Sequence, residues 1–167
     1  LMGVAWLLSG VLGYTLGVLA AFNRGKILDR VISGYSYVLS STPAFWLGII
    51  FIVVFAVSLG WFPVGLAGPT GVPAADVTLA QRLHHFALPA LTLSLIGVAN
   101  IAMHTRERMT DVLTSDYAHF ARARGENRRQ LFWNHGFRNS VAPAVTLQFA
   151  YFAELFGGSV LAETVFS

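Results

Sequence analysis

Cysteine is absent from the 167 residues. That excludes disulfides, cysteine nucleophiles and thiolate metal sites, without identifying a compartment. Charge is scarce as well: 11% of the residues are charged, against about 25% in a soluble domain. No Gly-x-x-x-x-Gly-Lys-[Ser/Thr] phosphate loop occurs, and neither His-Glu-x-x-His nor Gly-x-Ser-x-Gly is present. ATP hydrolysis, zinc proteolysis and serine-hydrolase chemistry are therefore not expected of this chain. What is present is apolar: 55% hydrophobic residues and a mean hydropathy of +0.62. The chain reads as an all-α membrane protein. Its formal charge of +3 does not imply a nucleic-acid partner, because the basic residues gather between apolar runs, as the positive-inside rule requires.

Those runs predict four membrane spans. Leu1 to Phe22 is uncharged and, at about 1.5 Å per residue, crosses a bilayer core of about 30 Å. Gly3, Gly10, Gly13 and Gly17 recur along it, and small residues so spaced let a neighbouring helix approach closely. Asn23 to Arg30 is expected as a polar turn with Arg24, Lys26, Asp29 and Arg30. Val31 to Ser41 is semi-apolar, and Pro43 predicts a kink or junction before the apolar run Ala44 to Leu59.

Gly60 to His85, rich in Pro and Gly, is expected as an outer loop. His84-His85 does not suggest a metal site, since adjacent residues on a helix point apart and no carboxylate stands near in sequence. Phe86 to Met103 is short for a span, so its helix should continue past His104. Asn100 and His104 share a face there, and hydrogen bonding between helices is the expectation for them. Ser140 to Ala162 is the fourth run, holding Gln148 and Glu154. Of eleven Lys and Arg residues only Arg82 falls in the outer loop, which puts residues 23–30 and 105–139 on the inner side. Leu1 begins inside an apolar run without a basic leader, and Ser167 stops as abruptly, so an internal piece of a longer protein is expected.

The stretch Thr105 to Pro143 holds seven of the eleven basic residues. Ser115 or Asp116 is expected to cap a short helix with its side-chain oxygen, and Gly125 to end it in the left-handed conformation. Asn127 and Gln130 form a capping-box pattern for a second short helix, whose apolar face is Leu131, Phe132 and His135. Arg128 and Arg129 sit at the positive end of that helix, where cations are disfavoured. Their guanidinium groups are therefore expected to meet an external anion, a lipid phosphate or an acidic partner surface. Arg138-Asn139-Ser140 then leads into Pro143, expected in the first turn of the last span.

Ala121-x-Ala123-x-Gly125, then His135-x-x-Arg138-Asn139, then Pro143, resembles the cytoplasmic "EAA" coupling loop of ABC importer permeases, in the variant of the dipeptide/oligopeptide/nickel branch. Ser41-Thr42-Pro43-Ala44-Phe45-Trp46-Leu47-Gly48 resembles the same branch, as do Gly157-Gly158 and Glu163-Thr164-Val165-Phe166-Ser167. The resemblance covers nearly the whole chain. It departs at the name-giving Glu-Ala-Ala, where His119-Phe120-Ala121 stand, and at Glu154, a position usually small or hydroxylic.

The resemblance implies a single permease domain over 1–167, a polytopic helical bundle of the type I importer fold, in a bacterial inner membrane. It implies no cofactor and no enzyme activity. It also implies separate ABC ATPase subunits, a second permease subunit, an extracytoplasmic solute-binding protein and contact with membrane lipid. Coupling to the ATPase would run through the 115–138 loop, with Tyr117, Ala121, Arg124, Gly125, His135 and Arg138 as its residues and Tyr117 and Ala121 as the apolar docking face. Glu154 and Gln148 would border the substrate path, for peptides or related small solutes, nickel among them. Two rival readings are a secondary transporter and an intramembrane enzyme using Glu154 or Glu107 with His104, His119 or His135. The first wants several buried ionisable groups, and only Glu154 qualifies. The second wants histidines at one depth, and these are spread.

Overall fold

The computed structural model describes the backbone of residues 2–64, 69, 71–73 and 75–166, and side chains within that range up to Phe152 apart from those of Met2 and Val4. Among the described residues the ordered elements are helices. They run α1 (Met2–Phe22), α2 (Ile27–Ser40), α3 (Ala44–Phe51), α4 (Leu79–Thr114), α5 (Asp116–Ala123), α6 (Arg128–Leu131) and α7 (Phe137–Phe166). Wider π-helical turns, Ile52–Ser58 and Phe132–Gly136, prolong α3 and join α6 to α7.

The central element is α4, which packs on α1, α2, α3, α5 and α7. Its 36 residues extend about 54 Å at 1.5 Å per residue, so the apolar run Phe86 to Met103 lies wholly inside one helix that continues past His104, as expected. The loop expected on the outer side is shorter than predicted. Helix begins at Leu79, where Thr78 and Gln81 make a reciprocal capping box, a Thr-x-x-Gln signal legible in sequence. His84 donates from Nε2 to the Trp61 carbonyl at 2.9 Å, and Phe62 joins Ala56, Leu88 and Phe55 in an apolar cluster. These contacts tie the loop's start to α4.

Glycine sets the α1–α4 contact. A Cβ on Gly13 would lie 2.8 Å from the Ile101 Cβ, and one on Gly17 would lie 2.6 Å from the Ala102 carbonyl oxygen. The expectation of close helix packing holds there. Gly17→Ala is expected to cost about 1–3 kcal/mol, because the obstructing atom is backbone and cannot swing away. Gly34→Ala, where a Cβ meets nothing within 4 Å, should be neutral or stabilising by up to about 1 kcal/mol through helix propensity. Heating the two variants in detergent and measuring the monodisperse fraction checks the order; equal behaviour would refute the packing argument.

Part of the polar side of α2 reaches α4, while Tyr37 is exposed. Tyr35 donates to the Leu95 carbonyl at 2.9 Å, and Ser40 donates to Asn100 Oδ1 at 2.7 Å. Asn100 thus makes the interhelical bond expected of it, whereas His104 is exposed. At residues 41–43 the chain bends by 103° between α2 and α3, sharper than a kink, because Pro43 takes an extended ψ and starts a new helix. Outward faces stay apolar: Leu7, Val11, Val31, Trp46 and Val57 are all more than half exposed, which suits contact with lipid. Among the described residues, Ala5–Phe22 and Leu79–Thr114 are long and apolar enough to cross a membrane, and the bent pair Ile27–Ser40 with Ala44–Ser58 makes a third candidate. The expected fourth span falls in α7, where side chains beyond Phe152 lie outside the described residues.

Two further boundaries differ from the sequence reading at this level. The polar turn is Asn23 to Lys26 rather than Asn23 to Arg30, since Gly25 turns with φ +79° and α2 opens at Ile27. Pro143 is not in a first turn: helix runs unbroken from Arg128 through the π-helical turn into α7, with Pro143 inside. The wider turn absorbs the change of register, so no new cap is needed before the proline.

Candidate functional site

The basic stretch folds into an elbow standing on the bundle. Ser115 is the single residue between α4 and α5, at once the end of one and the start of the other. Its hydroxyl donates back to the Val112 carbonyl at 2.6 Å, and no side-chain cap forms on α5. The expected N-cap bond is therefore not made, and the hydroxyl is turned back onto the helix behind it. Gly125 behaves as expected, with φ +90°. Its N–H donates to the Arg122 carbonyl at 2.9 Å and the Glu126 N–H to the Ala121 carbonyl at 3.0 Å, the paired bonds of a Schellman ending. Asn127 and Gln130 form the predicted capping box, at 2.8 and 2.9 Å.

Packing holds this elbow in place. Ala118, Ala121 and Leu131 join Ala21, Met109 and Leu113 in one buried cluster, with Val18, Phe22 and Phe132 against it. Three chain segments, the end of α1, the end of α4 and the elbow, thus share a core. Ala121 is 4% exposed and faces this core, so it is not part of an outward docking surface. Phe120 takes that place at 73% exposure, beside Tyr117 at 44%. With Ala118 and Ala121 turned inward, 3.6-residue periodicity points Phe120 outward, a signal present in the sequence but passed over.

Tyr117 and His135 are brought together, their rings 5.7 Å apart, and His135 Nε2 lies 3.3 Å from Glu126 Oε2. Trp133 is exposed, its ring tilted against Phe137 with centroids 5.2 Å apart. Arg124 and Arg138 are exposed. Gln148 is elsewhere, buried between α7 and α1. Its amide donates to the Trp6 carbonyl and its side chain meets the α-carbon face of Gly10, while Trp6 Nε1 donates to the Gln148 carbonyl at 2.7 Å. The Glu154 side chain lies outside the described residues.

An ion pair escaped the sequence reading. Arg106 Nε and Nη2 meet the two carboxylate oxygens of Asp29 at 2.5 and 2.9 Å, joining the start of α2 to α4 across 77 residues. The Gly25 N–H adds a bond of 2.8 Å and Ser33 one of 3.3 Å. A bidentate pair with its remaining lone pairs occupied is the geometry in which a buried charge is tolerated. Nothing local in the sequence links those residues.

The elbow offers an aromatic, basic surface on a rigid mount. Its best-placed imidazole, His135, has a tyrosine and a carboxylate for neighbours. An all-helical membrane permease domain is the class that this architecture and its apolar helices define. The chain belongs to the family described as binding-protein-dependent transport system inner membrane component, whose profile matches residues 13–167. It is 35% identical over its whole length to the oligopeptide transport system permease protein AppB of Bacillus subtilis, covering 52% of that protein. It is 36% identical over 98% of its length to the di/tripeptide transport system permease protein DppB of Pseudomonas aeruginosa, covering 53%. It is 37% identical over 94% of its length to the glutathione transport system permease protein GsiC of Escherichia coli, covering 47%. The chain spans about half the length of these curated relatives.

Proposed function

We propose that this chain is part of a permease subunit of an ATP-driven importer for peptides, crossing a bacterial inner membrane several times. In this reading the elbow of residues 115–138 docks on a separate ATPase, which moves α5 and, through the shared cluster, α1 and α4. A second permease subunit completes the path, and a solute-binding protein delivers cargo on the far side. The chain itself carries no covalent chemistry. The observation that carries the reading is the outward pair Tyr117 and Phe120 on a helix whose inner face is locked to two long helices. Peptide cargo is favoured over nickel because the similar permeases are named for oligopeptide, di/tripeptide and glutathione transport.

Co-purification of the full-length permease with its ATPase subunits tests the docking. Replacing Tyr117 and Phe120 together by Asp buries two charges in an apolar contact and is expected to cut the retained ATPase by at least about tenfold. Retention at the wild-type level would remove the elbow from the interface.

In the same reading α7, with Gln148 and Glu154, borders the path. Gln148 holds α1 against α7, and Glu154 favours cargo with an amine. A hydrogen bond to a charged group contributes about 1.5–3 kcal/mol, so Glu154→Gln should lower uptake of a cationic peptide about tenfold and leave a neutral one unchanged. Equal uptake of both by the variant would leave Glu154 a packing residue.

A further inference from the structure

A cleft of about 570 Å³ opens beside the elbow, between the end of α1, the α1–α2 turn, the end of α4 and the start of α6. That size is within the range of about 300–1,000 Å³ usual for small-molecule sites. Its lining is divided. Ala21, Phe22, Leu113 and Leu131 supply apolar surface, and Arg24, Lys26, Arg122 and Arg128 supply cationic groups, with His119 beside them. The carboxylate in the lining, Glu126, is engaged elsewhere, 3.3 Å from His135 and 3.4 Å from Asn134 Nδ2. Among the described residues none of the four cations forms an ion pair.

Four like charges come from three separate segments, which only the fold brings together. They repel one another unless an anion lies between them. Arginine forks match the oxygens of a phosphate, and the apolar wall suits the carbon skeleton that such a group carries. We propose that this cleft is a phosphate-binding site, taking the phosphate of an anionic lipid headgroup or a free phosphate. Basic pockets between helices at a membrane face bind lipid headgroups in this manner. The lipid source rests on the proposed inner-side placement of residues 23–30 and 105–139; the binding chemistry does not.

The test uses the full-length permease in its assembled transporter, held in nanodiscs. In one arm, native mass spectrometry counts phosphatidylglycerol retained from a phosphatidylcholine mixture. In the other, inorganic phosphate is titrated into phosphatidylcholine discs while the thermal midpoint is read. The variant pair Arg122→Gln with Arg128→Gln removes two cleft cations. The pair Arg30→Gln with Arg108→Gln removes the same charge from exposed positions outside the lining. Loss of at least tenfold in retained phosphatidylglycerol by the first pair alone supports a lipid phosphate. A midpoint shift with inorganic phosphate that the first pair alone abolishes supports a free phosphate. Equal loss in both pairs means a diffuse basic surface and overturns the site, as does no binding in either arm. Binding that persists while the ATPase fails to co-purify would sink the importer reading and leave the cleft.

Discussion

Arg106→Ala is expected to destabilise the bundle more than Asp29→Ala, although the two side chains form one ion pair. The Asp29 side chain is 5% exposed and that of Arg106 is 23% exposed. Removing the arginine strands a buried carboxylate with only the Gly25 N–H and the Ser33 hydroxyl as donors. Breaking a buried pair from that side costs about 3–5 kcal/mol. Removing the aspartate leaves a guanidinium that reaches water by rotating its long side chain, and about 1–2 kcal/mol is the expected loss. The double variant should be more stable than Arg106→Ala alone, because no charge is then stranded. Thermal inactivation of all four proteins in one detergent gives the cycle. A double variant that is the least stable of the four would show that the pair does not act as a unit. The effect should also reach the elbow, since Arg106 lies on the same helix as Met109 and Leu113, which support α5.

Gly125 carries the second large effect. Its φ of +90° lies in the left-handed half of the map, and a Cβ there would meet nothing within 4 Å. Any cost of substitution is therefore backbone conformation and not crowding. Ala at such a position costs about 1–2 kcal/mol, Asn less because it visits this region readily, and a β-branched residue more. Gly125→Val should unmake the Schellman ending, swing α6 away from the cluster around Leu131, and abolish transport while the chain still inserts. Gly125→Asn should retain most transport and Gly125→Ala an intermediate level. Uptake by the three variants at matched membrane levels reads the series. Full transport by Gly125→Val would separate the turn from function.

Local signals were legible wherever a few neighbouring residues decide the outcome. The apolar run of α1 needs only consecutive residues, and the Asn127–Gln130 capping box and the left-handed Gly125 need only residues within about one turn of one another. The Thr78–Gln81 box belongs with them. Ser115 fails differently: its hydroxyl had two possible carbonyl or N–H partners within reach, and the choice depends on how α4 ends. The π-helical turn before α7 is similar, since its extra residue per turn leaves no mark in the pattern of apolar positions. For Ala121, the family resemblance implied an apolar docking face, but which side of a short helix is outward depends on what it rests against.

By itself the sequence determined the class of this protein. Hydropathy, scarce charge and the clustering of basic residues require helices in lipid, because unpaired backbone groups are too costly there for anything but helices and closed barrels. The motifs at 41–48, 121–143 and 157–167 determined the family resemblance. Only the tertiary structure decided the rest. It placed Asp29 on Arg106, turned Gln148 into α1, set Phe120 outward and gathered Arg24, Lys26, Arg122 and Arg128 around one cleft. Each of these depends on residues tens of positions apart. Helix approach at glycines such as Gly17 and a shared apolar cluster bring them together, and neither distance nor facing direction is written in any local window of the chain.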